Sequence, residues 1–265
     1  MVEAAPYNRK GAPRGFFTGV LCYVGAPMAK RSLWLTARVV GETLAISAPT
    51  VVDAALGRLT KDASDERLAS WSKKVIARAR MNVTVKGIEN FDPSRTYVIM
   101  SNHQSHYDVP TLYSVFGGTV RMIAKIELFR IPIFGKAMRH AGFIAIDRSN
   151  RESAIANLAA AKDALAGGTS IWIAPEGTRS QTGELAAFKK GGFNVAFDTG
   201  ADVLPVSISG TRHVLPAHGL LSAHDVPVRV IVHRPLQSSA YSGADRRAAI
   251  DAMMSDVRAA IESGL

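Results

Sequence analysis

From Asn82 onward the chain alternates short apolar runs with helical stretches of about ten to fifteen residues, and nothing else restricts its fold as strongly. The runs are "NVTVKGI", "TYVIM", "VRMIAK", "FIAID", "SIWIA", "VLPVSI" and "VRVIVH". Helices are expected from about Asp108, near Ile133 to Ala141, and over 151–166, 190–199 and 243–263. Strands of this kind, separated by helical crossovers, argue for a largely parallel sheet covered on both faces. The expected fold class is therefore α/β, with a mostly parallel central sheet flanked by helices. In such sheets the loops that follow the strands gather at one edge, where ligands bind.

Residues 1–80 have a different character. They carry 13 Lys and Arg against 6 Asp and Glu, in a chain whose net charge is +10. Residues 1–15, with their Pro, Gly and Arg, are expected to be mobile. Apolar helices are expected over roughly 16–30, 32–47 and 49–59, punctuated by Pro27 and Pro49. A further helix from Asp65 to Arg80 sets Leu68, Trp71, Val75 and Ile76 at helical spacing. The strongest apolar candidate, Leu33 to Leu56, is interrupted by Arg38, Glu42 and Asp53, so it reads as helices lying on a bilayer rather than crossing one. Ordinary packing against the domain is the competing reading. The expected division is a basic, apolar, helical, membrane-associating region over 1–80 and an α/β domain over 81–265.

Positive charge next to apolar sequence favours an anionic membrane surface over nucleic acid, which the low aromatic content of 7% does not support. The single cysteine, Cys22, excludes an internal disulfide and a thiolate metal cluster within one chain. The expected location is the cytoplasmic face of the cell membrane, monotopic or peripheral.

Three stretches carry chemistry. In "SNHQSHYDVP", His103 and Asp108 can meet only across a loop-to-helix turn, because five residues of continuous helix would put them on different faces. There the carboxylate could accept from Nδ1 and leave Nε2 free as a base. The bland alternative is a capping box, Ser105-x-x-Asp108. His106 is a second candidate for the base. In "IWIAPEGTRS", Pro175 and Gly177 suit a tight turn and Arg179 offers a donor fork matched to phosphate, although a plain turn with a solvated Arg reads the same way. The third stretch sets Lys125, Arg130, Lys136, Arg139, Arg148 and Arg151 among apolar residues, which alone is most often a solvated face.

In this order and spacing the three resemble the glycerolipid acyltransferase family typified by bacterial 1-acyl-glycerol-3-phosphate acyltransferase. "NHQSHYD" resembles its first block, "KIELFRIPIFGKAMRHAGFIAIDR" its second, "PEGTRS" with "FKKGG" its third and "VLPVSISG" its fourth, over about Val83 to Ile231. Ala174 departs from the pattern, standing where an aromatic often precedes the third block. The resemblance implies that His103 is a general base oriented by Asp108. It also implies that Glu176, Gly177, Thr178 and Arg179 form the acceptor loop, with Lys125 and Arg148 as further anion contacts. The implied activity is O-acyl transfer in phospholipid synthesis, from an acyl-CoA or acyl carrier protein thioester to lysophosphatidic acid, with no acyl-enzyme, metal or cofactor. Glycerol 3-phosphate or a phosphoinositol glycolipid are alternative acceptors. A catalytically silent protein that binds anionic lipid at the membrane surface is the alternative from another class.

Overall fold

The computed structural model describes residues 30–146, 152–241, 243 and 245–265, with only the helix described over 152–157. The segment expected to be mobile, nearly all of the helix expected over 16–30, Cys22, Arg148 and Arg151 lie outside the described residues.

The described part opens with the short strand β1 (Arg31–Ser32) and helix α1 (Leu33–Ala55), whose first turn is capped by Ser32 accepting from the Leu35 N–H at 3.2 Å. The break expected at Pro49 does not occur, and one helix runs through it. Proline removes a single i→i−4 bond, and Pro49 sits on the exposed side of the helix while Ser47 and Thr50 beside it are buried. Packing of that inner side against neighbouring helices outweighs the local cost. Helix α2 (Lys61–Arg78) starts earlier than its apolar spacing suggests, because the Thr60 side chain accepts from the Ala63 N–H at 3.1 Å and sets the N-terminus there.

Beyond α2 the elements alternate as expected: β2 (Asn82–Lys86), β3 (Tyr97–Ser101), α3 (Asp108–Phe116), β4 (Val120–Lys125), α4 (Phe134–His140), β5 (Ile144–Ile146), α5 (Glu152–Ala166) and β6 (Ser170–Ile173). Then come α6 (Lys190–Thr199), β7 (Asp202–Ser209), α7 (Thr211–Val214), β8 (Ser222–Ala223), β9 (Pro227–Val232) and α8 (Arg246–Ser263). Seven strands form one sheet in the order β2-β9-β7-β3-β6-β4-β5. Every neighbouring pair is parallel except β7 and β9. β1 and β8 form a separate antiparallel pair.

All five residues of β3 are buried, which explains its unbroken apolar run. Its side chains alternate between two cores. Tyr97 and Ile99 face a cluster shared with Leu68 and Val75 of α2, Leu112 of α3 and Leu35 of α1, so the N-terminal helices and the sheet share one core. Val98 and Met100 face the other side, with Phe193 of α6 and Met253 and Val257 of α8.

Helix α1 is apolar on its outer as well as its inner side. Its outer stripe is apolar, with Leu33 at 71% and Trp34 at 70% exposure and Val40, Leu44, Val52 and Leu56 also exposed, while Ser47 and Thr50 face inward. Among the described residues no helix is long and apolar enough to cross a membrane.

Candidate active site

Strand β3 ends at Ser101, and the next side chain continues its pairing. Asn102 donates from Nδ2 to the Ile208 carbonyl at 2.8 Å and accepts the Ile208 N–H on Oδ1 at 2.8 Å, so a side-chain amide replaces a strand residue against β7. The chain then turns at His103, at the edge where β3 and β6 end together while β7 runs on to Ser209.

His103 Nδ1 lies 2.7 Å from Oδ2 of Asp108, at the start of α3. That oxygen also accepts the main-chain N–H groups of Gln104 at 2.7 Å and Ser105 at 2.9 Å. An ionised carboxylate can only accept, so Nδ1 carries the proton and the Nε2 lone pair is free. Asp108 is fully buried, whereas the His103 side chain keeps 17% exposure. Trp172 of β6 meets the imidazole edge-on at 5.5 Å between ring centroids, and its indole N–H is anchored on Ser101 Oγ at 2.9 Å.

The second loop is stitched to the first through the main chain of His103. The His103 N–H donates to Glu176 Oε1 at 2.8 Å, and the His103 carbonyl accepts the Ser180 N–H at 2.7 Å. The other carboxylate oxygen of Glu176 accepts the Ala186 N–H at 2.9 Å. Burial pushes the Glu176 pKa up, and the two backbone donors oppose that shift. Gly177 occupies the left-handed region, φ +73°, with its N–H on the Ala174 carbonyl at 3.0 Å, a turn that favours glycine.

Arg179 is half-buried and makes no hydrogen bond to any described residue. Desolvation lowers its pKa, and the Asp108 charge, close enough to be felt, opposes the shift. His106 stands near both Arg179 and His103. Crowding by surrounding protein, then the Arg179 charge, lower its pKa to about 4, although the residue is still open to solvent.

The structure thus brings together His103, Asp108, Glu176, Gly177 and Arg179. Thr178 is exposed on the same loop, and Lys125 is exposed at the end of β4. Arg148 lies outside the described residues. Lys189 was not among the residues singled out from the sequence. Its N–H donates to the Pro175 carbonyl at 2.8 Å, and its Nζ lies 3.3 Å from where a Cβ on Gly177 would stand, so its side chain covers the turn. The "FKKGG" stretch was the available signal.

An apolar cavity of about 70 Å³ lies between the N-terminal helices and α3 and α4. Val109, next to Asp108, and Tyr113 line it from α3, opposite Ile46 of α1, Leu68 of α2 and Phe134 and Met138 of α4.

The side chains of His103 and Glu176 sit at the carboxyl edge of the sheet, where the loops after β3 and β6 meet. Residues 82–209 match the family model described as Acyltransferase. The chain is 39% identical over 160 residues to the chloroplastic 1-acyl-sn-glycerol-3-phosphate acyltransferase LPAT1 of Arabidopsis thaliana, covering 59% of this chain and 44% of that one. It is 38% identical over 142 residues to the 1-acyl-sn-glycerol-3-phosphate acyltransferase of Pseudomonas aeruginosa, covering 53% and 54% respectively. The chain therefore spans about half the length of the curated relatives it matches. The crystal structure of PlsC, the 1-acyl-sn-glycerophosphate acyltransferase of Thermotoga maritima, superposes with a TM-score of 0.72 at 26% identity, over 88% of this chain and 93% of that one.

Proposed function

We propose that this protein transfers a fatty acyl group from an acyl thioester to the free hydroxyl of lysophosphatidic acid, using His103 as general base. The observation that carries the reading is the 2.7 Å contact between His103 Nδ1 and Asp108 on a loop tied through His103 itself to the loop of Arg179. The Nε2 lone pair takes the acceptor's hydroxyl proton as its oxygen attacks the thioester carbonyl. The tetrahedral adduct collapses, the C–S bond breaks, and the imidazolium proton passes to the departing thiolate. No covalent intermediate on the protein is required.

Arg179, with its donors unused among the described residues, is the group we assign to the acceptor phosphate. Glu176 has both oxygens on main-chain donors, so we give it a positioning role, holding the two loops together. The cavity beside Val109 suits an acyl chain, being apolar and one residue from Asp108. The outer stripe of α1 and the positive charge of residues 1–80 support attachment to an anionic membrane surface, and we assign the cytoplasmic face of the cell membrane as that surface. Acyl-CoA and acyl carrier protein are both suitable donors.

The test is release of free thiol from an acyl thioester, with lysophosphatidic acid, glycerol 3-phosphate and a phosphoinositol glycolipid offered in turn. Turnover is expected with lysophosphatidic acid, and His103→Ala should lower kcat by about 10²- to 10⁴-fold. Turnover by the variant near the wild-type rate would remove His103 as the base. Lipid binding by wild type with no thiol release from any acceptor would leave a silent lipid-binding protein.

A further inference from the structure

Between β4 and α4 the chain presents apolar side chains outward in a costly conformation. Ile131 and Ile133 are 45% and 46% exposed, on either side of the exposed Pro132. Ile133 has φ +63° and ψ −60°, and the Phe134 N–H donates back to the Pro132 carbonyl at 2.6 Å. This is a γ-turn of the rare positive-φ kind, and a β-branched residue at its centre is a marked outlier. Gly135 completes the fold-back. Its N–H donates to the Ile131 carbonyl at 2.8 Å, and a Cβ there would stand 2.2 Å from the Phe129 carbonyl oxygen.

The charges around the turn are one-sided. Arg130 and Lys136 are exposed, Arg139 donates to the Phe129 carbonyl at 2.6 Å, and Glu127 is the one acid between 126 and 140. The turn also leads into the helix that packs on α1. Helix α4 packs along α1, and Phe134 lines the same cavity as Ile46 and Thr50. Phe134 points into that cavity while its neighbour Ile133 is held outward.

We propose that residues 130–136 form a second membrane-contact lip, in which Ile131 and Ile133 enter the headgroup region of an anionic bilayer while Arg130 and Lys136 meet its phosphates. The proposal rests on the reading that this protein works at a lipid surface, and it extends the contact from α1 to the turn before α4. A bilayer fits better than a protein partner. The tips are apolar and flanked by cations, and α1 already offers a long apolar face. Strain that presents an isoleucine to water is understandable if water is not its working environment.

The decisive variant is Ile133→Gly in the full chain. Glycine adopts positive φ without strain, so thermal stability should be unchanged or higher, while co-sedimentation with phosphatidylglycerol vesicles should fall by about tenfold. Arg130→Glu and Lys136→Glu should each weaken binding to those vesicles by roughly fivefold or more at low salt, with little effect on phosphatidylcholine vesicles. Turnover should fall for an acceptor embedded in vesicles and hold for a short-chain acceptor dispersed as monomers. Sedimentation is read without substrate, so it stands apart from the acyl-transfer reading. If Leu44→Asp on α1 loses vesicle binding while all three lip variants bind like wild type, the lip is overturned and membrane attachment through α1 survives. Failure of wild type to bind vesicles overturns both. Lip variants that lose turnover only with an acyl carrier protein donor, at unchanged vesicle binding, would overturn the bilayer assignment in favour of an acidic protein.

Discussion

Oδ2 of Asp108 receives the His103 ring together with the main-chain N–H groups of Gln104 and Ser105. One carboxylate therefore holds the loop before α3 and orients the imidazole, whereas the capping box that competes in the sequence does not close, because Ser105 Oγ accepts from the Tyr107 N–H and α3 has no side-chain cap. His106, in the same stretch, meets a different environment. Its pKa is lowered from the ordinary value of 6.5 to about 4, so between those values the unfolded chain binds more protons than the folded one. Stability is then fully present above about pH 6.5 and is lost as the pH falls toward 4. His106→Gln should lose less of its melting temperature than wild type over that window. His213 and His233, also lowered by burial, should leave part of the acid loss in place. Melting curves from pH 7 to 4 that run parallel for the two proteins would count against this environment for His106. That His103 and Asp108 meet across the loop-to-helix turn was legible from their spacing. The two-sided grip of Glu176 and the Lys189 side chain over Gly177 were not, because both depend on where separate loops meet.

At the scale of elements, the strands were legible because burial on both faces leaves continuous apolar runs, as in β3. Their directions were less so: β9 is antiparallel to β7 and parallel to β2, and no local pattern distinguishes the two modes of pairing. The Pro49 break failed for a related reason, since the contacts that carry α1 past its missing hydrogen bond come from other helices. Asn102 shows how the end of one strand is built. Its amide supplies both a donor and an acceptor to Ile208, in a site where the residue is 2% exposed. Asn102→Ala leaves a buried N–H and a buried carbonyl without partners, a loss of roughly 2–5 kcal/mol in urea unfolding. The release of the β3 terminus should also lower kcat, because His103 is the next residue. A full-stability variant with normal turnover would show that the loop holds its shape through Glu176 and Ser180 alone.

Across the whole molecule, the N-terminal helices are joined to the sheet by an ion pair that sequence reading passed over. Arg121, in β4 and 3% exposed, donates to Asp65 of α2 at 2.5 Å and also to the carbonyls of Gly118, Val120 and Ala141. In "VRMIAK" this arginine looks like an outward residue of a strand; its burial follows from α2 covering that end of the sheet. A buried guanidinium deprived of its carboxylate is left uncompensated, so Asp65→Ala should cost about 3–5 kcal/mol of stability. The consequence should reach the chemistry through the cavity, whose walls come from α1 and α2 on one side and from α3 and α4 on the other. If that cavity holds the donor's acyl chain, loosening α2 should flatten the preference among donor chain lengths while leaving the His103–Asp108 pair intact. The variant should therefore retain turnover at temperatures where it is folded, yet discriminate poorly between short and long acyl thioesters. Competition assays with mixed donors, run alongside urea unfolding, measure both effects on one protein. A large stability loss with unchanged donor preference would separate the cavity from the acyl site.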